Sequence, residues 1–419
     1  MFRPLVYVLQ RTIGTGDLKV VGADGRVHEF GDRTGTPIIV RITDKRTEWR
    51  LALSPSLGIG EAYMDGRLIL EKGTIYDFLE VLLVNVSKLQ RPGWLHAIDF
   101  VQEVTRRLQH YNPVGRSKQN VAYHYDIDGS LYDLFLDPDR QYSCAYFEED
   151  GMSLDDAQIA KKRHIASKLN LSDGMRVLDI GSGWGGLALY LAKTARVDVT
   201  GITLSEEQLK IAQERAQAEG LTNAVNFELC DYRDLKGKFD RIVSVGMFEH
   251  VGSAHYRRFF ESVNNLLADE GVALLHSIGQ FDPPTATNPF IAKYIFPGGY
   301  IPSLSEVVPA VEHEGLLVTD IEILRLHYAM TLRHWRQRFR AAWHTASDKF
   351  GERFCRMWEM YLASSETGFR YQNLMVFQIQ LAKSLNALPI TRDYMFDRER
   401  ELNVRKGEPS RSRTQRSAH

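Results

Sequence analysis

Between about residue 155 and residue 280, the sequence alternates short apolar stretches with amphipathic ones, and this alternation constrains the fold most. The apolar stretches are rich in β-branched residues, which is typical of strands: MRVLDI, VDVTGIT, VNFELC, FDRIVSV and GVALLHSI. Stretches with helical periodicity separate them: GGLALYLAK, SEEQLKIAQERAQAEG and YRRFFESVNNLL. Repeated strand–helix units predict a parallel sheet with helices on both faces, so we expect an α/β fold.

The regions on either side of this core have different patterns. Residues 18–53 contain a hairpin signal followed by the candidate strands IIVRITD and WRLALSP, and a helical pattern follows around Ile75 to Leu89. We therefore predict a small N-terminal α+β domain that, with a basic connector, covers residues 1–112. The main domain would extend over 113–398 with a helical C-terminal region, and 399–419 would form a disordered basic tail.

A Pro/Gly-rich segment, at about 281–303, follows the alternating region. Its length is unusual for a plain connection, so it predicts a lid or a binding insertion.

Composition narrows the class of protein. The 419 residues are 44% hydrophobic and 25% charged, as in folded soluble proteins, and the net charge of -1 argues against a nucleic-acid-binding chain. The three cysteines are far apart and lack metal-ligand spacing, so we expect no metal and a reducing, cytoplasmic compartment. Because no apolar run reaches the roughly 20 residues that span a bilayer, any membrane contact would be peripheral.

A glycine-rich motif, LDIGSGWGG, follows the first strand of the alternating region. Gly181, Gly183 and Gly186 would let the backbone approach a nucleotide-like ligand closely. Asp179 precedes them, and its carboxylate would repel the pyrophosphate of NAD but attract the positive groups of S-adenosylmethionine (SAM). The motif therefore favours SAM; the alternative is a glycine-rich turn without a ligand.

Polar residues also follow the next two strands. In GITLSEEQ, Thr203 and Gln208 could contact the ligand, although Ser205 and Gln208 also fit a helix-capping box. Asp231, just past the third strand, could reach an adenine amino group or be a solvated loop acid.

Two further motifs end the fourth and fifth strands. GMFEHVG carries Glu249 and His250, and LLHSIG carries His276 with Ile278 on the same face. An open α/β sheet binds its ligand beyond the carboxyl ends of its strands, so these groups could converge there. The alternative for His276 is a structural histidine within the strand.

With these motifs in place, the chain resembles the cyclopropane-fatty-acyl-phospholipid synthases and the related mycolic-acid cyclopropane synthases. The matching stretches run in family order over about residues 115–380: NVAYHYDIDGSLYDLFLD, YSCAYFEED, LDIGSGWGG, GITLSEEQ, GMFEHVG, LLHSIG and LRLHYAMTLRHW. The resemblance implies a class I SAM-dependent methyltransferase fold with a Rossmann-like core. It also implies that the substrate is a cis double bond in a phospholipid acyl chain, converted to a cyclopropane.

The resemblance also implies site residues. The family binds a bicarbonate ion, whose ligands map onto Glu249, His276, Tyr328 and the backbone of Cys144 and Ile278. SAM contacts map onto Tyr142, Ser143, Asp179, Gly181, Gly183, Thr203, Leu204, Gln208 and Asp231. One departure is Ser182, where many relatives have cysteine.

The chemistry fits these assignments. An alkene is a poor nucleophile, so the methyl group must be held close to it as a strong electrophile. The resulting carbocation must lose a proton from the added methyl group, for which bicarbonate would be the base. Aromatic rings could face the cation or could be ordinary core residues: Tyr142, Tyr146, Phe147 and Phe248.

Two other functions remain open at this point. The same carbocation could give a methyl-branched or methylene acyl chain, and a chain with a degenerate site could be a non-catalytic lipid-surface binding protein. The expected partners are phospholipid acyl chains at the inner membrane face, with a homodimer as a further possibility and no nucleic acid.

Two segments could contact the membrane surface. The connector, residues 88–118, carries six basic and two acidic residues. The helix after Tyr328 has arginines on one side and Trp335, Phe339 and Trp343 on another, which suits an anionic interface. The alternative for this helix is that its aromatic face packs on the core while its arginines pair locally.

Overall fold

A computed structural model describes residues 1–88 and 129–404 of the chain. The connector, apart from its first residue, lies outside the described residues, as does 405–419. The prediction of a membrane-binding connector therefore stays a prediction.

The N-terminal part is a four-stranded mixed sheet covered by helices. The strands have the order β2-β1-β3-β4, with β1 parallel to β3 and the other pairs antiparallel. The elements in chain order are α1 (Arg3–Thr12), β1 (Leu18–Val21), β2 (Val27–Phe30), β3 (Ile38–Ile42), α2 (Lys45–Leu53), α3 (Pro55–Met64), β4 (Leu68–Lys72) and α4 (Ile75–Lys88).

One strand prediction in this part is wrong, because the stretch WRLALSP belongs mostly to helix α2. Asp44 caps that helix by accepting a hydrogen bond from the backbone N–H of Thr47, at 2.9 Å. Thr47 and Leu51 are both buried, and their spacing of four puts them on one helix face.

The main domain contains a seven-stranded sheet of order β10-β11-β9-β8-β5-β6-β7. Strands β5 to β9 are parallel, as the alternation predicts. Strand β11 runs antiparallel to both β9 and β10; β10 and β11 lie beyond the alternating region from which the parallel sheet is predicted. The strands are β5 (Arg176–Ile180), β6 (Asp198–Thr203), β7 (Val225–Leu229), β8 (Phe239–Val245), β9 (Leu267–Gln280), β10 (Leu317–Ile323) and β11 (Leu374–Ala382).

Helices connect these strands and extend the domain at both ends. Short 3-10 turns at Phe248–His250 and Ser253–His255 follow β8. The helices are α5 (Ser130–Asp133), α6 (Leu154–Lys168), α7 (Gly186–Ala195), α8 (Glu206–Ala218), α9 (Tyr256–Leu266), α10 (Pro289–Tyr294), α11 (Leu304–His313), α12 (His327–Ala341), α13 (Trp343–Phe350), α14 (Glu352–Tyr371) and α15 (Asp393–Val404). Across the described ranges, none of the helices is both long and apolar enough to cross a membrane.

The chain remains helical beyond the predicted start of the tail. Helix α15 runs to Val404, so the prediction of disorder is wrong for residues 399–404. The reason is burial, because Leu402 belongs to the hydrophobic cluster that contains Ile165 and Leu169 of the α6 region.

Helix α12 is the segment that we considered as a membrane-binding helix, and its structure contradicts that hypothesis. The side chains of Trp335 and Phe339 are fully buried. Arg336 donates to Glu366 at 2.9 Å, and Arg340 lies 3.4 Å from Glu359. The aromatic face therefore packs on the core and these arginines pair locally, which was the alternative interpretation.

Candidate active site

The site is built at the carboxyl ends of the parallel strands, beginning with the loop after β5. Gly181 has a φ of +83°, and a Cβ there would lie 2.9 Å from Met247. Gly183 has a φ of +55°, with no atom within 4 Å of a Cβ position. Only glycine adopts such angles without strain, and the open space beside Gly183 lets a ligand approach the backbone.

This loop forms one wall of a cavity of about 170 Å³, here termed the smaller cavity. All nine residues that the resemblance assigns to SAM binding line it: Tyr142, Ser143, Asp179, Gly181, Gly183, Thr203, Leu204, Gln208 and Asp231. They come from four separate stretches of sequence, which the fold brings together around one space. Their contacts with SAM stay predictions.

Asp179 contributes a buried carboxyl group to the wall of the smaller cavity. Its side chain is buried, and Oδ2 has no hydrogen-bond partner. Burial raises the pKa of Asp179 to about 7, although the charge of Lys161 opposes this shift. A buried carboxylate is stabilised by a cationic partner, so this position fits a ligand that carries a positive group.

The loop after β6 is held by its own side chains. Ser205 caps α8 by accepting a hydrogen bond from the backbone N–H of Gln208 at 3.3 Å. The side chain of Gln208 does not complete a capping box; its Oε1 accepts a hydrogen bond from the Thr203 hydroxyl at 2.8 Å. Asp231 binds Arg233 through both carboxylate oxygens, at 2.8 and 2.5 Å, so it is not a solvated loop acid.

A second, larger cavity of about 570 Å³ contains the five residues that the resemblance assigns to bicarbonate. Glu249 Oε1 accepts a hydrogen bond from the backbone N–H of Ile278 at 2.7 Å, so an anion at this position would have to share that amide. Glu249 Oε2 is buried and has no partner, and burial raises the pKa of this carboxyl group. Cys144, His276 and Tyr328 complete the set.

His276 is held as a neutral imidazole. Burial lowers its pKa to about 3. The side-chain amide nitrogen of Gln378 lies 3.1 Å from His276 Nδ1. An amide nitrogen can only donate, so Nδ1 accepts and the ring carries its hydrogen on Nε2. His276 is therefore neutral and can donate from Nε2.

Cys144 and Tyr328 differ in what they can contribute. The Cys144 thiol donates to the carbonyl of Ala145 at 3.3 Å, and burial raises its pKa well above the usual range. A protonated thiol is a weak nucleophile, so the site does not favour covalent catalysis by Cys144. The ring of Tyr328 is fixed between Phe369 and Trp335, with centroids at 4.8 and 5.8 Å.

Of the four aromatic residues considered as cation-facing rings, only Tyr142 lines either cavity. Tyr146 stacks on His164 at 4.1 Å, and Phe147 stacks on His334 at 5.6 Å. Phe248 is fully buried and stacks on Tyr256 at 4.3 Å. The cation-facing hypothesis is therefore wrong for Tyr146, Phe147 and Phe248, which are core residues.

The two cavities meet at a shared wall. Tyr142, Ser143, Gly246 and His250 line both of them. The Tyr142 hydroxyl lies 2.8 Å from that of Tyr361, which lines the larger cavity. A ligand in the smaller cavity and one in the larger cavity would thus be adjacent across a few side chains.

Sequence analysis missed Lys161, which lines the smaller cavity. Its ammonium group donates to Gln141 Oε1 at 2.6 Å and to Ser143 Oγ at 2.8 Å. Burial lowers its pKa to about 8. The charge-rich stretch around Lys161 looks like a solvated helix face, so no sequence signal distinguishes it.

The segment at 281–303 borders the larger cavity, as a lid or insertion would. It contains the short helix α10, and Ile291, Phe296 and Ile301 line the cavity.

The chain matches known proteins in sequence over most of its length. The model of the family described as mycolic acid cyclopropane synthetase matches residues 114–379. The chain is 40% identical over 357 residues to the cyclopropane-fatty-acyl-phospholipid synthase of Escherichia coli K12, covering 85% of this chain and 91% of that protein. The chain belongs to the mycolic acid cyclopropane synthetase family.

Two further proteins are similar to this chain, one in sequence and one in structure. The tuberculostearic acid methyltransferase UfaA1 of Mycobacterium tuberculosis is 34% identical over 389 residues, covering 90% of each chain. The crystal structure of mycolic acid cyclopropane synthase CmaA1 complexed with SAH and CTAB superposes with a TM-score of 0.60 at 35% identity, over 63% of this chain and 97% of that one. The main domain thus has the class I SAM-dependent methyltransferase fold of this family.

Proposed function

We propose that this chain converts cis double bonds in the acyl chains of membrane phospholipids into cyclopropane rings. SAM is the methyl donor. The proposal agrees with the function named for the E. coli relative.

The observation that carries the proposal is the contact between the two cavities. The smaller cavity has the glycine loop and the carboxyl group of Asp179, one of whose oxygens has no partner, while the larger one is mostly apolar and includes Glu249 and His276 in its wall. A reaction between a cationic nucleotide-like donor and a hydrocarbon requires these two environments side by side.

The residues of the smaller cavity fit SAM. Asp179 would bind a positive group of SAM, and Asp231 would bind the adenine amino group. Thr203 and Gln208 would form hydrogen bonds with other polar groups of SAM. Bound SAM supplies an electrophilic methyl group. The Lys161 ammonium donates a hydrogen bond to Ser143, which lines the wall shared by the two cavities.

The residues of the larger cavity fit a small anion such as bicarbonate. His276 has an N–H and Tyr328 has a hydroxyl as donors, and burial raises the pKa of Glu249, which lessens the repulsion between its carboxyl group and an anion. Bound bicarbonate supplies a base that accepts a proton. The chain's own contribution is to exclude water from this end of the cavity, because water would trap a carbocation.

Two alternatives are weaker on specific grounds. A methyl-branched or methylene product needs the same donor site, and three relatives are named methyltransferases; the presence of Glu249, His276 and Tyr328 in the wall of the larger cavity supports the ring product. A non-catalytic lipid-binding protein would have no need of a buried, unpartnered Asp179 beside a glycine loop.

The substrate lies in a bilayer, so the protein must reach it peripherally. We propose binding at the inner, cytoplasmic face through the basic connector, with the segment at 281–303 acting as a lid. The six basic residues of the connector and the three free cysteines support this location.

Methyl-labelled SAM and vesicles of dioleoyl-phosphatidylglycerol test the proposal. Label should enter the extracted acyl chains, and proton NMR of their methyl esters should show ring protons. Label only in a methyl branch or a methylene group would favour the first alternative. Absence of label from the lipid, with SAM bound, would favour a binding protein.

A further inference from the structure

The larger cavity does not end at the catalytic residues, because its wall continues into the N-terminal part of the chain. Helix α1, the four-stranded sheet and helix α4 all contribute side chains to this wall. Helix α1 gives Leu5, Val8 and Leu9; the sheet gives Val20, Val40, Ile42 and Leu68; and helix α4 gives Phe78, Leu79, Leu82, Leu83 and Val86.

This part of the wall is almost entirely apolar. Among the described N-terminal residues that line it, Thr12 and Ser56 have the polar side chains and none is charged. A polar head group would lose its hydration here without gaining partners. A hydrocarbon chain would gain from the same burial, and the volume of about 570 Å³ lies in the ordinary range for ligand sites.

The N-terminal wall is tied to the catalytic wall. Glu61 of α3 is buried and accepts hydrogen bonds from Lys293 at 2.7 Å and from Tyr294 at 2.9 Å, both in helix α10. The ring of Phe290 in α10 fills the space beside Gly60, where a Cβ would lie 2.2 Å from it. The segment 281–303, which contains α10 and borders the larger cavity, is therefore attached to helix α3 of the N-terminal part.

A second set of contacts holds the N-terminal helices against α14. The Tyr63 hydroxyl donates to Glu359, and the Tyr371 hydroxyl donates to Glu80, each at 2.5 Å. Helix α14 itself lines the larger cavity through Tyr361 and Gly368. The two parts thus form one continuous wall from Val40 to His276.

We infer that the N-terminal domain, residues 1–88, holds the hydrocarbon on one side of the reacting double bond. It thereby selects acyl chains by their length on that side. The inference rests on the proposed function and adds to it a role for the N-terminal domain. Its support is the continuity of a single apolar cavity with the groups expected to react.

Photocrosslinking tests the occupant without relying on turnover. The full chain is mixed with dioleoyl-phosphatidylglycerol vesicles that contain a phosphatidylglycerol with a diazirine in its acyl chain, and adducts are mapped by mass spectrometry. We expect adducts on α4 and β3 as well as in the main domain. Adducts confined to residues 129–404 would overturn the inference.

Two neighbouring substitutions provide a matched pair. Leu83 and Val84 are adjacent in α4 and similarly half-buried, but only Leu83 lines the cavity. Leu83→Trp should remove the N-terminal adducts. It should also shift the preference among phospholipids with different double-bond positions by about tenfold, the lower end of the effect of one methylene in an apolar pocket. Val84→Trp should leave both unchanged.

Phe78→Ala provides a second test in case the Leu83→Trp variant does not fold. It enlarges the same part of the cavity, so it should shift the preference toward longer acyl chains. Equal preferences in the wild type, Leu83→Trp and Phe78→Ala would overturn the inference even if the lipid is methylated. Adducts in α4 without any methylation would instead contradict the proposed function and leave the lipid site supported.

Discussion

At the scale of single residues, two buried carboxyl groups each have one oxygen without a hydrogen bond. Asp179 Oδ2 and Glu249 Oε2 are both buried without a hydrogen bond, one in each cavity. An unpartnered buried polar group costs stability, so its retention is typical of a functional site. Each group gives a prediction.

Replacing Asp179 with Asn should weaken SAM binding by about 1.5–3 kcal/mol, the usual contribution of a hydrogen bond to a charged group. Since burial raises the pKa of Asp179 to about 7, wild-type affinity should rise with pH through that value as the carboxylate forms. The variant should lack this dependence. Calorimetric titration at several pH values measures both, and identical pH profiles would contradict the assignment.

The same substitution should change stability in the opposite direction. The raised pKa means that the folded, ligand-free protein binds a proton that the unfolded chain releases, so stability is lost as pH rises from about 4 through about 7. Asp179→Asn removes this loss. Its thermal midpoint without SAM should therefore equal or exceed that of the wild type at pH 8.

Replacing Glu249 with Gln should lower turnover by roughly 10²–10⁴-fold, the range for acid–base groups, while SAM affinity is unchanged. The reason is that Glu249 lines only the larger cavity. Cys144→Ala is the control, because the buried thiol is protonated and should be dispensable. Steady-state kinetics with a SAM titration checks both, and near-normal turnover in Glu249→Gln would exclude this residue from the mechanism.

At the scale of elements, helix α12 shows how an amphipathic pattern can be explained by packing alone. Arg336 lies against Glu366, and both side chains are largely buried. Arg336→Gln should destabilise the protein by about 3 kcal/mol, the lower end of the range for a broken buried ion pair, because Arg370 still binds Glu366.

Arg333→Gln is the matched control, since Arg333 is exposed on the same helix. It should change the free energy of unfolding by less than about 0.5 kcal/mol. Urea denaturation measures both variants. Weaker vesicle binding by a stably folded Arg333→Gln variant would restore the membrane hypothesis for this helix.

Sequence patterns predicted the elements whose signal is local. Strands β5 to β9 and helices α7 to α9 follow from their periodicity, and the glycine loop follows from its motif. Helix α2 was missed because its N-terminal cap at Asp44 outweighs a short apolar run. The antiparallel pairing of β11 with β9 joins residues about a hundred positions apart, which periodicity does not reveal.

In the candidate site too, some residues could be proposed from local motifs, whereas others become apparent only in the folded structure. Motif residues such as Asp179 and Glu249 could be proposed from sequence because they lie at or just after the carboxyl ends of β5 and β8, which are neighbours in the sheet. Lys161, Tyr361 and Gln378 act through partners that only the fold brings near them. Whether an aromatic residue faces a cavity or the core also depends on that packing, as Tyr142 and Tyr146 show.

At the scale of the whole molecule, the net charge is -1, so the proposed binding to an anionic membrane requires a local excess of basic residues. The connector provides local positive charge, and each basic residue near the surface contributes about 1 kcal/mol. Replacing Arg106, Arg107, Arg116 and Lys118 with Gln should lower vesicle binding and activity on vesicles together.

Activity on detergent-dispersed substrate should fall much less in that variant, and wild-type vesicle binding should decline as salt is raised. Sedimentation with anionic vesicles gives the binding, and parallel assays give the activities. Equal losses on vesicles and on detergent-dispersed substrate would mean that the four residues serve the fold or the site, not the membrane.

The central claim is that the transferred carbon becomes part of a ring after losing a proton. The most direct test supplies SAM with a fully deuterated methyl group and dioleoyl-phosphatidylglycerol vesicles, followed by NMR and mass spectrometry of the acyl methyl esters. The account predicts a cyclopropane in which each transferred methyl group has lost one deuteron. A methyl branch that keeps every deuteron, or lipid without any deuterium, would contradict it.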